Sequence, residues 1–179
     1  MNDQVEVKSR SAYLWLAIVC FGVMGGLIGR RADPATITVA ALQQFPPEAL
    51  RIAIFSLGGI LYAWVGLSLL GRALFIFNRR VRKSHGYGAF KSAIGIGFLM
   101  LLPFTVLSLL AELFLGWSAV QAFAAAGIMT GAALAGMELG RLGGGGLAGA
   151  LIPSLGGLVL SVVWMLVTSL AQGGWRVLL

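Results

Sequence analysis

The single histidine of the chain, His85, stands in a basic stretch close to Arg82 and Lys83. One imidazole supplies neither the paired axial ligands of a bis-histidine haem nor the two histidines of an H-E-x-x-H zinc site. The six carboxylates, Asp3, Glu6, Asp33, Glu48, Glu112 and Glu138, are scattered along 179 residues. They lack the pairing that general acid–base or two-metal chemistry requires. A lone cysteine, Cys20, forms no intramolecular disulfide or cysteine cluster and reads as a small packing residue. There is no G-x-S-x-G, and Gly143-Gly144-Gly145-Gly146 lacks the Lys-Ser/Thr of a phosphate-binding loop, so the quartet reads as a turn. The expectation is a protein that is not an enzyme and has no catalytic residue or metal site, and the sequence identifies no cofactor.

Three constellations remain. Glycines four apart (Gly22 and Gly26, Gly25 and Gly29, Gly127 and Gly131, Gly136 and Gly140) each fall on one face of a helix, and the missing side chains let another backbone come close. The plain reading of Gly22, Gly26, Gly127, Gly131, Gly136 and Gly140 is helix packing within the molecule. The sharper reading is a sliding seam or a homo-oligomer interface. Glu138 and Arg141, three apart, meet on one helical face as an ion pair, and are a candidate gating or docking pair. Arg79, Arg80, Arg82 and Lys83 form the most basic cluster of the chain, an anchor for topology and a candidate contact for anionic lipid or a partner.

The elements that position these residues follow from composition. With 59% apolar and 11% charged residues, and a mean hydropathy of +0.93, the chain has lipid as its main solvent. The fold class is all-α, a polytopic transmembrane helical bundle of about five spans, because backbone polar groups in lipid must be satisfied within the segment. The spans are expected at about residues 11–29, 52–77, 90–116, 118–141 and 147–171, forming one transmembrane domain over 11–179 after a polar tail at 1–10. Arg30 and Arg31 directly after the first run argue for a retained span rather than a signal peptide. Residues 32–49, bracketed by Pro34, Pro46 and Pro47, are expected as a surface segment. Pro103 is expected to kink the third span. Glu112 and Arg72 are expected to snorkel to the membrane surface.

Charge sets an expected orientation. One side collects Lys8, Arg10, Arg72, Lys91, Arg141 and the 79–83 cluster, the other Arg30, Arg31, Arg51 and Arg176. The first side is therefore assigned to the cytoplasm, with the N-terminus inside and a bacterial inner membrane as the location. The net charge of +7 thus serves topology, and no nucleic-acid partner is expected. The Ala/Gly-rich fourth run inserts weakly, and a re-entrant hairpin of runs four and five is the alternative that would return the C-terminus to the inside.

From the second span onward the order of features resembles the Yip1-type five-helix membrane domain. The likeness rests on Gly86-Tyr87-Gly88-Ala89-Phe90-Lys91, a third span at residues 94–110 around Leu101-Leu102-Pro103, Gly136-Met137-Glu138-Leu139-Gly140-Arg141, and Ala150-Leu151-Ile152-Pro153. It covers roughly the C-terminal half, and residues 34–47 have no counterpart. The resemblance implies a non-enzymatic membrane protein, associated in eukaryotes with vesicle traffic and small GTPase partners, and transfers no catalytic residue.

The leading functional expectation is an accessory, scaffold or assembly subunit that packs against a membrane-protein partner or its own copies in the lipid bilayer. The alternative is a small transporter or channel subunit whose fourth helix and Glu138/Arg141 line or gate a path. A third reading, a pigment- or quinone-associated subunit, draws on Trp15, Trp64, Phe98, Phe104 and Trp164, residues that more often pack or face lipid.

Overall fold

Long apolar runs close their own backbone hydrogen bonds as helices, and that is how this chain is built. A computed structural model describes residues 2–31, 47–114, 117–143 and 147–171, with side chains described over 12–30, 48–114, 120–143, 149 and 151–169. The fold is an all-α bundle of α1 (Asn2–Arg31), α2 (Pro47–Phe77), α3 (Arg79–Ser84), α4 (Tyr87–Phe98), α5 (Leu101–Phe114), α6 (Trp117–Arg141) and α7 (Leu147–Ala171). Five stretches are long and apolar enough to cross a membrane: Ala12–Arg30, Glu48–Phe77, Tyr87–Phe114, Val120–Arg141 and Leu151–Ser169. The chain is an integral membrane protein in this sense.

Several boundaries differ from expectation. Residues 2–10, expected as a tail, are helical and form the start of α1 ahead of its spanning stretch at Ala12. The second span starts at Pro47 rather than 52; proline is well placed in a first helical turn, where its missing N–H costs nothing, and Glu48 beside it suits the positive end of the helix dipole. Most of the expected surface segment at 32–49 lies outside the described residues, and its last three belong to α2.

The third span is interrupted as Pro103 requires. A regular helix would have the Pro103 N–H donate to the Leu99 carbonyl; proline has none, and the Leu102 N–H donates to that carbonyl instead, at 3.0 Å. Leu99 and Met100 form the turn between α4 and α5, with Met100 N–H donating to the Gly97 carbonyl at 3.3 Å. Helix α6 has 25 residues, about 37 Å at 1.5 Å per residue, enough to cross a hydrocarbon core of about 30 Å. That length favours a full span over a re-entrant one. After it, the Gly143 N–H donates to the Gly140 carbonyl and Gly143 takes φ +89°, a conformation open to glycine.

Helix α1 packs against α2, α4 and α5, and α6 against α4, α5 and α7. The α6 face toward the core, Val120, Ala124, Ile128, Ala132, Ala135 and Leu139, repeats every three or four positions. Its small side chains let neighbouring helices come near while Phe21, Phe90 and Phe98 fill the space from α1 and α4.

Candidate binding groove and buried polar positions

The basic cluster forms the short helix α3. Asn78 caps α3, its side-chain oxygen accepting from the Val81 N–H at 3.4 Å, and Val81 is fully buried, pinning the short helix to the bundle. Arg79, Arg80, Arg82 and Lys83 all remain exposed. The Arg82 guanidinium lies 5.7 Å from the centroid of the Phe75 ring, which meets Tyr87 and Phe90 edge-on at 5.4 and 5.3 Å. Lys91 Nζ sits 5.3 Å from the Tyr87 centroid. Aromatic side chains of α2 and α4 thus hold two cations at the basic end of the molecule.

Beside this end a cavity of about 480 Å³ lies between α1, α2 and the start of α4. Its apolar wall is Leu14, Trp15, Ile18, Trp64 and Leu67, and its polar part comprises Ser68, Gly86, Gly88, Lys91 and Ser92. Trp15 and Trp64 are 61% and 56% exposed, so the wall continues onto the outer surface of the bundle. Ser92 is 8% exposed, and its hydroxyl has no hydrogen-bond partner among the described residues. Gly86 caps α4 without a side-chain hydrogen bond, and beyond the Cα of Gly86 and of Gly88 there is open space.

The glycines divide sharply. A Cβ at Gly25 would run into the Phe55 carbonyl, one at Gly59 into the Phe21 carbonyl, and one at Gly29 would lie 2.5 Å from the Arg51 carbonyl oxygen. Gly22 and Gly26 face Ile60 and Ser56 in the same α1–α2 seam. Gly127 faces Leu101 and Phe104, Gly131 faces Phe98, and Gly136 receives Pro153 of α7. Gly140 is the exception: it is exposed and meets nothing, because it lies off the face of α6 that buries Leu139. Gly59 and Gly97, which complete two seams, escaped the spacing search because neither has a glycine four positions away.

Glu138 and Arg141 do meet, Arg141 donating to the carboxylate at 2.9 Å. The pair lies at the end of α6 with the Arg141 side chain 73% exposed, and neither residue lines the groove. Arg72 is exposed. Glu112 is a correction: it is only 5% exposed. Leu101, Thr105, Ser108 and Glu112 are buried at helical spacing on α5, so the carboxylate faces inward despite lying near the helix end. Thr105 donates to the Leu101 carbonyl at 2.7 Å, and α1 packs against the helix that carries this polar stripe.

The aromatic residues do not form one surface. Trp164 and Phe98 are buried, whereas Trp15 and Trp64 share the groove. Phe21, Tyr62 and Trp164 form a triangle with centroids 5.2 to 5.7 Å apart, joining α1, α2 and α7. Within it the Tyr62 hydroxyl donates to the Leu160 carbonyl. Among the described residues no group of three or more His, Cys, Asp or Glu comes together.

Comparison of the chain with protein-family models, with curated proteins and with solved structures returns no match. The Yip1-type likeness therefore stands on its quoted residues alone.

Proposed function

We propose that this protein is a non-catalytic integral membrane protein that acts as an accessory, scaffold or assembly subunit, binding a membrane partner through the outward face of α2. The observation behind this reading is the position of that helix. Only 22% of its spanning window is buried, against 56% for α1, and Leu57, Leu61, Val65 and Leu69 line its outer side. The glycine seams are taken up inside the molecule, which leaves bulky apolar faces rather than small-residue faces for partner contact. In this reading the basic end faces the cytoplasm of a bacterial inner membrane, in keeping with the charge asymmetry. A Yip1-like role in organising membrane partners is compatible with it. Native mass spectrometry of the protein extracted from its own membrane in mild detergent tests the proposal. A defined complex, or a homo-oligomer weakened by Leu61→Gln, supports it; a monomer under all mild conditions overturns it.

A second reading, a small transport or channel subunit, is favoured by a different residue from those the sequence singled out. Glu112 is a carboxylate buried on a stripe with Thr105 and Ser108, a placement typical of ion pathways. Flux into liposomes that falls with Glu112→Gln but not with Glu138→Gln would select it.

A further inference from the structure

We propose that the groove between α1, α2 and α4 is a stoichiometric site for one anionic phospholipid, with the phosphate at the N-terminus of α4 and an acyl chain along Trp15, Trp64 and Leu67. This goes beyond a general attraction of the exposed Arg79–Lys83 cluster for acidic membranes, and is independent of whether the protein serves as an accessory subunit.

Three observations meet in the groove. The first is the helix start. Helix α4 has 12 residues and follows Gly86, which offers no side-chain cap; the Ala89 N–H donates to the Gly86 carbonyl at 3.1 Å, so the positive end of the helix dipole and the first N–H groups, those of Tyr87 and Gly88, are left to an anion. Gly86 and Gly88 leave the approach to that backbone unobstructed. The second is Ser92, one turn further on. It lines the same groove, is more than nine-tenths buried, and has a hydroxyl with no partner among the described residues. Serine in a helix ordinarily returns its hydroxyl to the preceding turn, so a buried one left unpaired is a costly position that a phosphate oxygen would satisfy.

The third observation is the combination of charge and apolar wall. Lys91 is the one cation among the described groove residues, none of which is acidic. The two half-exposed tryptophans carry the groove out to the outer, apolar surface of the bundle. A soluble phosphate would use the helix start and Lys91 but has nothing to place against Leu14, Ile18 and Leu67. A phospholipid uses both parts, and a volume of about 480 Å³ holds a headgroup and the first part of a chain.

The test uses the full chain in mild detergent, offered equal amounts of phosphatidylglycerol and phosphatidylcholine and examined by native mass spectrometry. One phosphatidylglycerol should be retained in preference. Lys91→Gln should lower that preference about fivefold, from the worth of one basic residue at a membrane surface. Ser92→Ala should lower retention by about tenfold or more, through loss of a hydrogen bond to a charged group. Gly88→Leu should fill the groove and abolish retention, while Arg80→Gln, outside the groove, should leave the one-to-one stoichiometry intact. Melting temperatures of the lipid-free variants, unchanged for Lys91→Gln and unchanged or raised for Ser92→Ala, separate loss of binding from loss of folding. Equal retention of the two lipids would overturn the proposal, as would full retention in both Lys91→Gln and Gly88→Leu. Displacement of the lipid by millimolar inorganic phosphate would assign the site to the free anion and overturn the lipid assignment.

Discussion

Helices α1 and α2 pack through Gly22, Gly25, Gly26, Gly29 and Gly59, backbone against backbone at Gly25, Gly29 and Gly59, whereas α7 adds hydroxyl and amide hydrogen bonds to its close contacts at Gly136 and Gly157. Gln121 of α6 donates to Thr168 of α7 at 2.7 Å, Ser161 donates to the Ala125 carbonyl at 3.2 Å, and Tyr62 of α2 donates to the Leu160 carbonyl. Lipid tails are as apolar as leucine, so no hydrophobic force drives helices together in a bilayer; close packing and polar contacts do that work. Close approach dominates the first seam, and the second adds polar bonds to it. The glycine seam depends on the absence of atoms and tolerates no addition. The polar seam depends on individual bonds, each removable at modest cost because the helix backbone on either side keeps its own pairing.

This contrast yields a ranked series of outcomes. Gly59→Leu should have the largest effect: its side chain must displace the Phe21 backbone, and overpacking of this kind costs about 3 kcal/mol or more. Loss of the monodisperse species in detergent on size-exclusion chromatography is the expected result. The adjacent Gly58 has open space around it, so Gly58→Leu should leave the chromatogram unchanged. Equal damage from both would break the assignment of this seam.

Gly97→Leu should match Gly59→Leu, since a side chain there meets the Ala135 backbone across the α4–α6 contact. Next comes Tyr62→Phe, which removes one interhelical hydrogen bond while keeping the aromatic triangle; about 1 kcal/mol is expected, read as a small fall in melting temperature in micelles. Gln121→Leu should cost about 0.6 kcal/mol, the usual worth of a polar contact between spanning helices. Gly140→Ala should be smallest, neutral or slightly stabilising, because the position is helical, exposed and uncrowded. If Gln121→Leu proved as damaging as Gly59→Leu, the distinction between the two seams would fail.

Much of the site's raw material was visible before the fold, but not its arrangement. Gly22 and Gly26 advertised a packing face through their spacing; Gly59, the residue they need opposite them, carries no such signal because its partner lies on another helix. Arg82 and Lys91 were visible as charges, and only the folded chain sets them on Phe75 and Tyr87. Ser92 is an ordinary serine in the sequence. Its interest comes from the wall that α1 and α2 build around it. Glu112 was misjudged because distance from a helix end was used where rotation about the helix axis decides burial, and the inward stripe of α5 passes through that position.

What the sequence by itself determined is the number, type and approximate limits of the spans, the break before Pro103 and the turn at Gly143. Each follows from a property local to the chain: the free energy of placing a run of residues in lipid, the missing N–H of proline, the absent Cβ of glycine. Only the tertiary structure decided which face of each helix is covered, which glycines are indispensable, that Glu112 is buried, and that a groove with an unpaired serine opens beside the start of α4. Those are properties of pairs of helices. Hydropathy is nearly uniform around these helices, so the rotation of each about its axis is set by the fit of small and large side chains against its neighbours rather than by any polar face read along the chain.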